Sequence, residues 1–439
     1  MRRKILLAIL VVIAVLGLFS SLLFPEVAEK AVVEGIDFSA ADIGWMMIAS
    51  VLVFLMTPGL GFFYGGMVNR KNMINTIFQS FIAMVVITVL WFIVGYGLAF
   101  GDDVGGIIGN PLQHLFMQGI GTTTAWVGAP TIPILLFALF QLKFAIITPA
   151  LISGAMAERI RFWGYLPFIV LFSLCIYCPL AHATWHPEGI LARFGVLDFA
   201  GGTVVHMSSG WAALAGVLFL KRRIDTSLYA AHVPYVILGA SLLWIGWFGF
   251  NAGSSFAANE LGVIAFANTT AASAISALTW GFLEQINGKK ISSIGVCVGA
   301  VVGLVAITPG AGYVSLGHSI FIGLAGAVVS FYAVRLFHKR GVDDTLDVFP
   351  CHGVGGMTGM IMTGIFADKD INPAVTVSGL YFGETKLFFS HIVALVGVSA
   401  FAFFGTWFLL FLVNKITPLR VAPEREKVGL DLTQHGESL

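Results

Sequence analysis

Two histidines, His206 in the run DFAGGTVVH and His352 in DVFPCHGVGG, sit inside hydrophobic segments in different halves of the chain, each after an aspartate, Asp198 or Asp347, that opens its segment. Ionisable groups at membrane depth are costly and tend to face bundle interiors or water-filled cavities, which makes both imidazoles candidates for function. Burial disfavours the charged form, so a neutral pair is expected. Such a pair offers a donor and an acceptor to a small polar solute and can pass or hold a proton. The bland alternative is that each bonds a neighbouring helix. Gly201, Gly202, Gly353, Gly355 and Gly356 flank the two positions and let backbones approach closely, which favours the functional reading. A zinc or iron shell is not expected, because no third His, Cys or carboxylate is placed at the same depth, and no cofactor is called for. At 1.5 Å per residue, His206 lies about 12 Å along its segment from Asp198 and His352 about 8 Å from Asp347, both near the middle of a hydrocarbon core of roughly 30 Å. The two aspartates are expected to cap the helices that follow them, and Asp198 could also favour a cation without touching it. Aromatic residues cluster from Trp244 to Phe250, before Asn251, and around Trp185. Most such residues form interfacial belts, but an aromatic face also attracts cations by about 2 kcal/mol where water is excluded.

The rest of the chain says what must position these groups. Of 439 residues, 58% are hydrophobic and 11% charged, and the mean hydropathy is +0.92. A soluble domain carries about a quarter charged residues, so this is one polytopic membrane bundle. A net charge of +1 leaves no basic field for nucleic acid. Cys175, Cys178, Cys297 and Cys351 all lie in apolar segments and read as packing thiols. Residues 1–30, with Arg2, Arg3 and Lys4 ahead of an apolar run, are either a secretory signal peptide or an extra N-terminal span; Val27-Ala28 and Ala31 offer cleavage positions.

Apolar runs at 42–66, 73–100, 132–156, 163–184, 199–220, 234–256, 262–286, 291–309, 313–337, 347–366 and 387–413 make eleven expected spans, each near the roughly 20 residues needed to cross. Little two-residue alternation is present, so these are helices rather than barrel strands and the fold is all-α. Arg70-Lys71, Arg159 with Arg161, Lys221-Arg222-Arg223, Lys289-Lys290, Lys339-Arg340 and the tail fall in alternate connections, which should be cytoplasmic. His206 is then on the fifth span and His352 on the tenth, running in opposite senses, as an inverted five-plus-five repeat with a final helix would give.

From about residue 42 to the end the chain resembles the ammonium transporter family (Amt/Mep/Rh), most closely its Amt branch. The resemblance is carried by PGLGFFYGGMVNRKN from Pro58, FALFQLKFAIITPALISGAMAERIRF from Phe137, DFAGGTVVH from Asp198, WIGWFGFNAGS from Trp244, DDTLDVFPCHGVGG from Asp343 and GLDLTQHGES from Gly429. It implies a membrane domain over 42–413 and a cytoplasmic regulatory tail over 414–439, in a homotrimer of eleven-helix protomers at the bacterial inner membrane. It further implies an outer vestibule of Trp185, Phe144 and Ser254 that recruits ammonium, with Asp198 nearby. Phe144 and Phe250 would be a stacked gate, and His206 and His352 the paired pore histidines. Methylammonium is the expected substrate analogue, and a PII-type regulator the expected partner of the tail. Potassium, with no proton to give up, would be excluded from a dry pore.

An Amt-like sensor with little flux is the competing reading. A membrane hydrolase is disfavoured because no Ser or Cys nucleophile is paired with either histidine, so no enzyme is expected. Lys143 beside Phe144 does not fit comfortably: a lysine mid-span costs about 2.5–3.5 kcal/mol on insertion scales, and it either faces a polar crevice or subunit contact or sits neutral.

Overall fold

The computed structural model describes residues 2–24, 30–33, 37–227 and 229–439. Val27 and Ala28, candidate cleavage positions, lie outside the described residues. Hydrocarbon leaves backbone polar groups no partner but the chain itself, and the apolar runs accordingly close into helices. Ten described helices are long and apolar enough to cross a membrane: Ala40–Met67, Arg70–Phe100, Ile134–Met156, Phe162–Arg193, Gly202–Leu220, Val233–Ser255, Glu260–Ile286, Ser293–Gly310, Leu316–Arg340 and Lys386–Ile416. Phe349–Val354, continued by Gly355–Phe366, adds the eleventh, tenth in chain order; its Pro350, His352 and glycines lower its hydropathy below that of the others. The eleven expected spans are therefore present, their ends shifted by three residues or fewer except that of the fourth, which runs nine residues further, to Arg193. Ser39, Asn259, Ser292 and Ser315 start four of them by accepting a backbone N–H from the first turn. Before the first span, Arg2–Leu18 forms a further helix whose side chains from Lys4 onward are mostly exposed.

Several spans are interrupted by a widened, π-helical turn, and two of these, Gly202–Met207 and Phe349–Val354, carry His206 and His352. Such turns cluster at functional sites because they re-aim side chains. The two histidine-bearing helices touch where Gly210 faces Gly353: a Cβ on Gly210 would lie 2.2 Å from the Gly353 nitrogen. No larger residue could stand there without separating the helices.

The basic connections gather at one end of the bundle, and the tail folds over those at Arg70-Lys71, Arg159 with Arg161 and Lys221-Arg222-Arg223. Pro423–Val428 and Asp431–His435 form its two short helical pieces. Asp431 accepts from the backbone nitrogens of Ile74 and Asn75 at 3.0 and 2.7 Å, capping the second span, and Asn72 accepts from Leu430 N–H at 2.8 Å. Backbone bonds join Arg161 N–H to Leu419 and Val421 N–H to Arg159. Beneath the tail, buried Arg223 grips Asp343 with two nitrogens and Glu158 with a third, and Arg159 donates to Thr345 Oγ1 and the Asp343 carbonyl, both at 2.7 Å. Breaking such a buried pair by removing one partner costs about 3–5 kcal/mol.

One expected cap is corrected. Asp347, at φ 55°, turns its carboxylate to His338 Nε2 at 2.8 Å instead of capping the tenth span. Asp344 does that work, accepting from Phe349 N–H at 2.7 Å. The left-handed residue at 347 swings its side chain away from the helix start, so the carboxylate three positions earlier reaches the free N–H groups.

Candidate functional site

At the end of the bundle opposite the tail, a cavity of about 280 Å³ is lined by Trp185, Phe144, Ser254 and Asp198, with Trp126 and Gln141 among the other walls. Asp198 builds its side wall. One carboxylate oxygen accepts from Gly201 and Gly202 N–H at 2.7 and 2.6 Å, and the other from Thr203 N–H and Oγ1 at 2.7 and 2.5 Å. This fixes the start of the helix that carries His206. Gly201 adopts φ +116°, a region closed to residues with a Cβ, so that the loop can turn into those bonds. The Asp198 carbonyl accepts from Trp185 Nε1 at 3.0 Å, which orients the indole. Ser254 Oγ donates to the Phe250 carbonyl at 2.8 Å and keeps its lone pairs.

The floor is aromatic. Phe144 meets Phe250 at 4.2 Å between ring centroids, tilted by 31°, and meets Trp185 edge-on at 5.9 Å. Beyond the pair lies a slot of about 10 Å³ walled by Ile147, Leu151, Val205, Leu243 and Val301, among others, together with both histidines. That is close to the smallest space that holds one water. His206 and His352 approach with their Nδ1 atoms 3.3 Å apart. One Nδ1 must then carry a hydrogen and the other accept it, so the rings are held in opposite tautomers, one with an Nε2 acceptor and one with an Nε2–H donor. His206 Nε2 meets no protein partner. Trp247 stacks on His206 at 5.4 Å and fixes its plane, its own Nε1 donating to Thr308 Oγ1 at 2.9 Å. Among the described residues no group of three or more His, Cys, Asp or Glu is arranged to hold a metal.

The model of the Ammonium Transporter Family matches residues 44–439. The chain belongs to that family. It is 44% identical to an ammonium transporter of Aquifex aeolicus over 425 residues, covering 96% of this chain and 97% of that protein. The crystal structure of Mep2 from Candida albicans superposes with a TM-score of 0.82 at 34% identity, covering 92% of this chain and 90% of that one. A structure described as a sensor Amt protein is also similar, at 27% identity and a TM-score of 0.81, covering 90% and 98%. The family is one of transporters, not of enzymes.

In this member of the ammonium transporter family every candidate named from the sequence lines one of two adjoining spaces: Trp185, Phe144, Ser254 and Asp198 the outer cavity, and Phe250, His206 and His352 the slot. Lys143 joins neither. It is half-buried on the other side of the third span, its ammonium 5.1 Å from the centre of the Phe54 ring. Sequence reasoning missed Trp247 as the plate behind His206, although it stands in the aromatic cluster already singled out. It also missed Gln141, whose only signal was a polar residue one turn ahead of Phe144.

Proposed function

We propose that this protein carries ammonium across the membrane by recruiting the cation at the outer cavity, removing its proton above the slot and conducting neutral ammonia past the histidines. The observation that carries this reading is the histidine pair, Nδ1 to Nδ1 at 3.3 Å, in an apolar slot beneath touching phenylalanine rings. An unpaired cation entering such a slot forfeits several kcal/mol of hydration after the protein relaxes, a cost that loss of one proton largely removes. Trp185, Phe144 and Ser254 supply ring faces and a hydroxyl acceptor for the cation, and Asp198 adds negative charge beside them. Phe144 and Phe250 close the gate. The opposite tautomers of His206 and His352 hydrogen-bond ammonia as it passes, and the proton follows separately.

The membrane domain spans 42–413 and the tail 414–439, with residues 1–30 a signal peptide or an extra span. The basic connections gathered under the tail favour a cytoplasmic C-terminus at the bacterial inner membrane. Membership of the family is the ground for assembly into a homotrimer within the bilayer, and the docked tail is the surface on which a PII-type regulator would act. A sensor with little flux is the second reading, since a structure of that description shares the fold. Uptake of labelled methylammonium by proteoliposomes tests transport: saturable uptake is expected, and ammonium binding with zero flux would replace transport by sensing.

A further inference from the structure

The wall of the outer cavity holds a polar group that nothing in the protein satisfies. Gln141 stands three residues before Phe144 on the third span, which puts both side chains on one helix face. Its side chain lines the cavity, only 4% of the residue is exposed, and its amide oxygen meets no donor. Several neighbouring polar groups are engaged. Both Asp198 oxygens are filled by backbone and Thr203 donors, and Trp185 Nε1 is spent on the Asp198 carbonyl. Asn372 donates to Gly312 and accepts from Ala374. Ser255 donates to the carbonyls of Ala252 and Ala257. Ser254 keeps free lone pairs beside its own donated bond. Among the described residues lining the cavity, Gln141 is the one whose buried polar atom has no partner.

Buried acceptors are nearly always paired, and one left open beside a cavity calls for a donor from outside the protein. Ammonium brings four N–H donors, whereas the surrounding ring faces attract its charge without fixing its orientation. We propose that Gln141 is a specificity-determining residue of the recruitment site, its amide oxygen accepting an N–H of the bound ammonium alongside the Ser254 hydroxyl. The proposal rests on reading the outer cavity as the recruitment site.

The test is uptake of labelled methylammonium by full-length protein in proteoliposomes as a function of concentration, for wild type, Gln141→Met and Gln141→Glu. Methionine keeps the volume and removes the acceptor. It is expected to raise the half-saturating concentration about tenfold, equivalent to about 1.4 kcal/mol, while the maximal rate and melting temperature stay at wild-type values. Glutamate keeps an acceptor and adds charge, and is expected to lower the half-saturating concentration. Wild-type half-saturation in Gln141→Met, a change confined to its maximal rate, or a raised value in Gln141→Glu would overturn the proposal. If one variant fails to fold, the other decides alone. Absence of saturable uptake by the wild type would instead remove the reading of the cavity itself.

Discussion

Replacing Asp198 by asparagine separates two roles that a carboxylate beside a cation site can have. In the structure both its oxygens are filled by four donors at 2.5–2.7 Å, which makes it a clamp on the start of the His206 helix. An amide keeps one oxygen and turns an NH₂ group toward donors, so two of the four bonds are lost. Hydrogen bonds to a charged group are worth about 1.5–3 kcal/mol each, giving a loss of about 3–6 kcal/mol. The expected result for Asp198→Asn is a clearly lowered melting temperature in detergent and a loss of methylammonium uptake that higher substrate concentration does not restore, because the start of the helix that carries His206 is set by this carboxylate. A variant that melts like the wild type and shows only a raised half-saturating concentration would refute the clamp and leave attraction of the cation as the whole role.

Three further outcomes are expected. Asp431→Ala removes the cap on the second span, worth about 1–2 kcal/mol, and should speed amide exchange and proteolysis across residues 421–435; unchanged exchange would show that the tail is held by its other contacts. Burial, reinforced by nearby Asp347, pushes the Asp344 carboxyl up to about 7, against about 3.9 in an unfolded chain. The native state therefore holds the proton more tightly, and this stability is fully present below about pH 4 and lost as pH rises through about 7. Asp344→Asn, which keeps the acceptor for Phe349 N–H, should match wild type in unfolding free energy near pH 4 and exceed it at pH 8, by up to about 4 kcal/mol; a gap that does not change with pH would contradict this. Lys143→Met should leave uptake at wild-type levels, since the lysine Nζ lies over Phe54 and outside both cavities; loss of uptake in a folded variant would place Lys143 in the path.

The helices were legible because hydrocarbon permits few alternatives: each long apolar run had to become a span, and capping residues such as Ser39 and Asn259 start their helices two residues ahead of the expected apolar run. The candidate site residues were legible as types at spacings, since a histidine within such a run demands a partner. Their mutual geometry was not. The widened turns at Gly202–Met207 and Phe349–Val354 have no periodicity signature, yet they lie where His206 and His352 meet. Asp347 failed as a cap for a similar reason: its left-handed backbone is a property of the tight connection after the ninth span, which residue type alone does not reveal. The indole behind His206 and the open acceptor on Gln141 depend on contacts between spans far apart in sequence.

The central claim is that a dry slot makes proton loss the way across. The measurement that reaches it most directly compares ammonium and potassium permeation through the wild type and through His206→Ala and His352→Ala variants in proteoliposomes. The wild type should carry ammonium and exclude potassium, and the variants should lose that discrimination while some flux remains. A wild-type protein that passes potassium as readily as ammonium would contradict the claim.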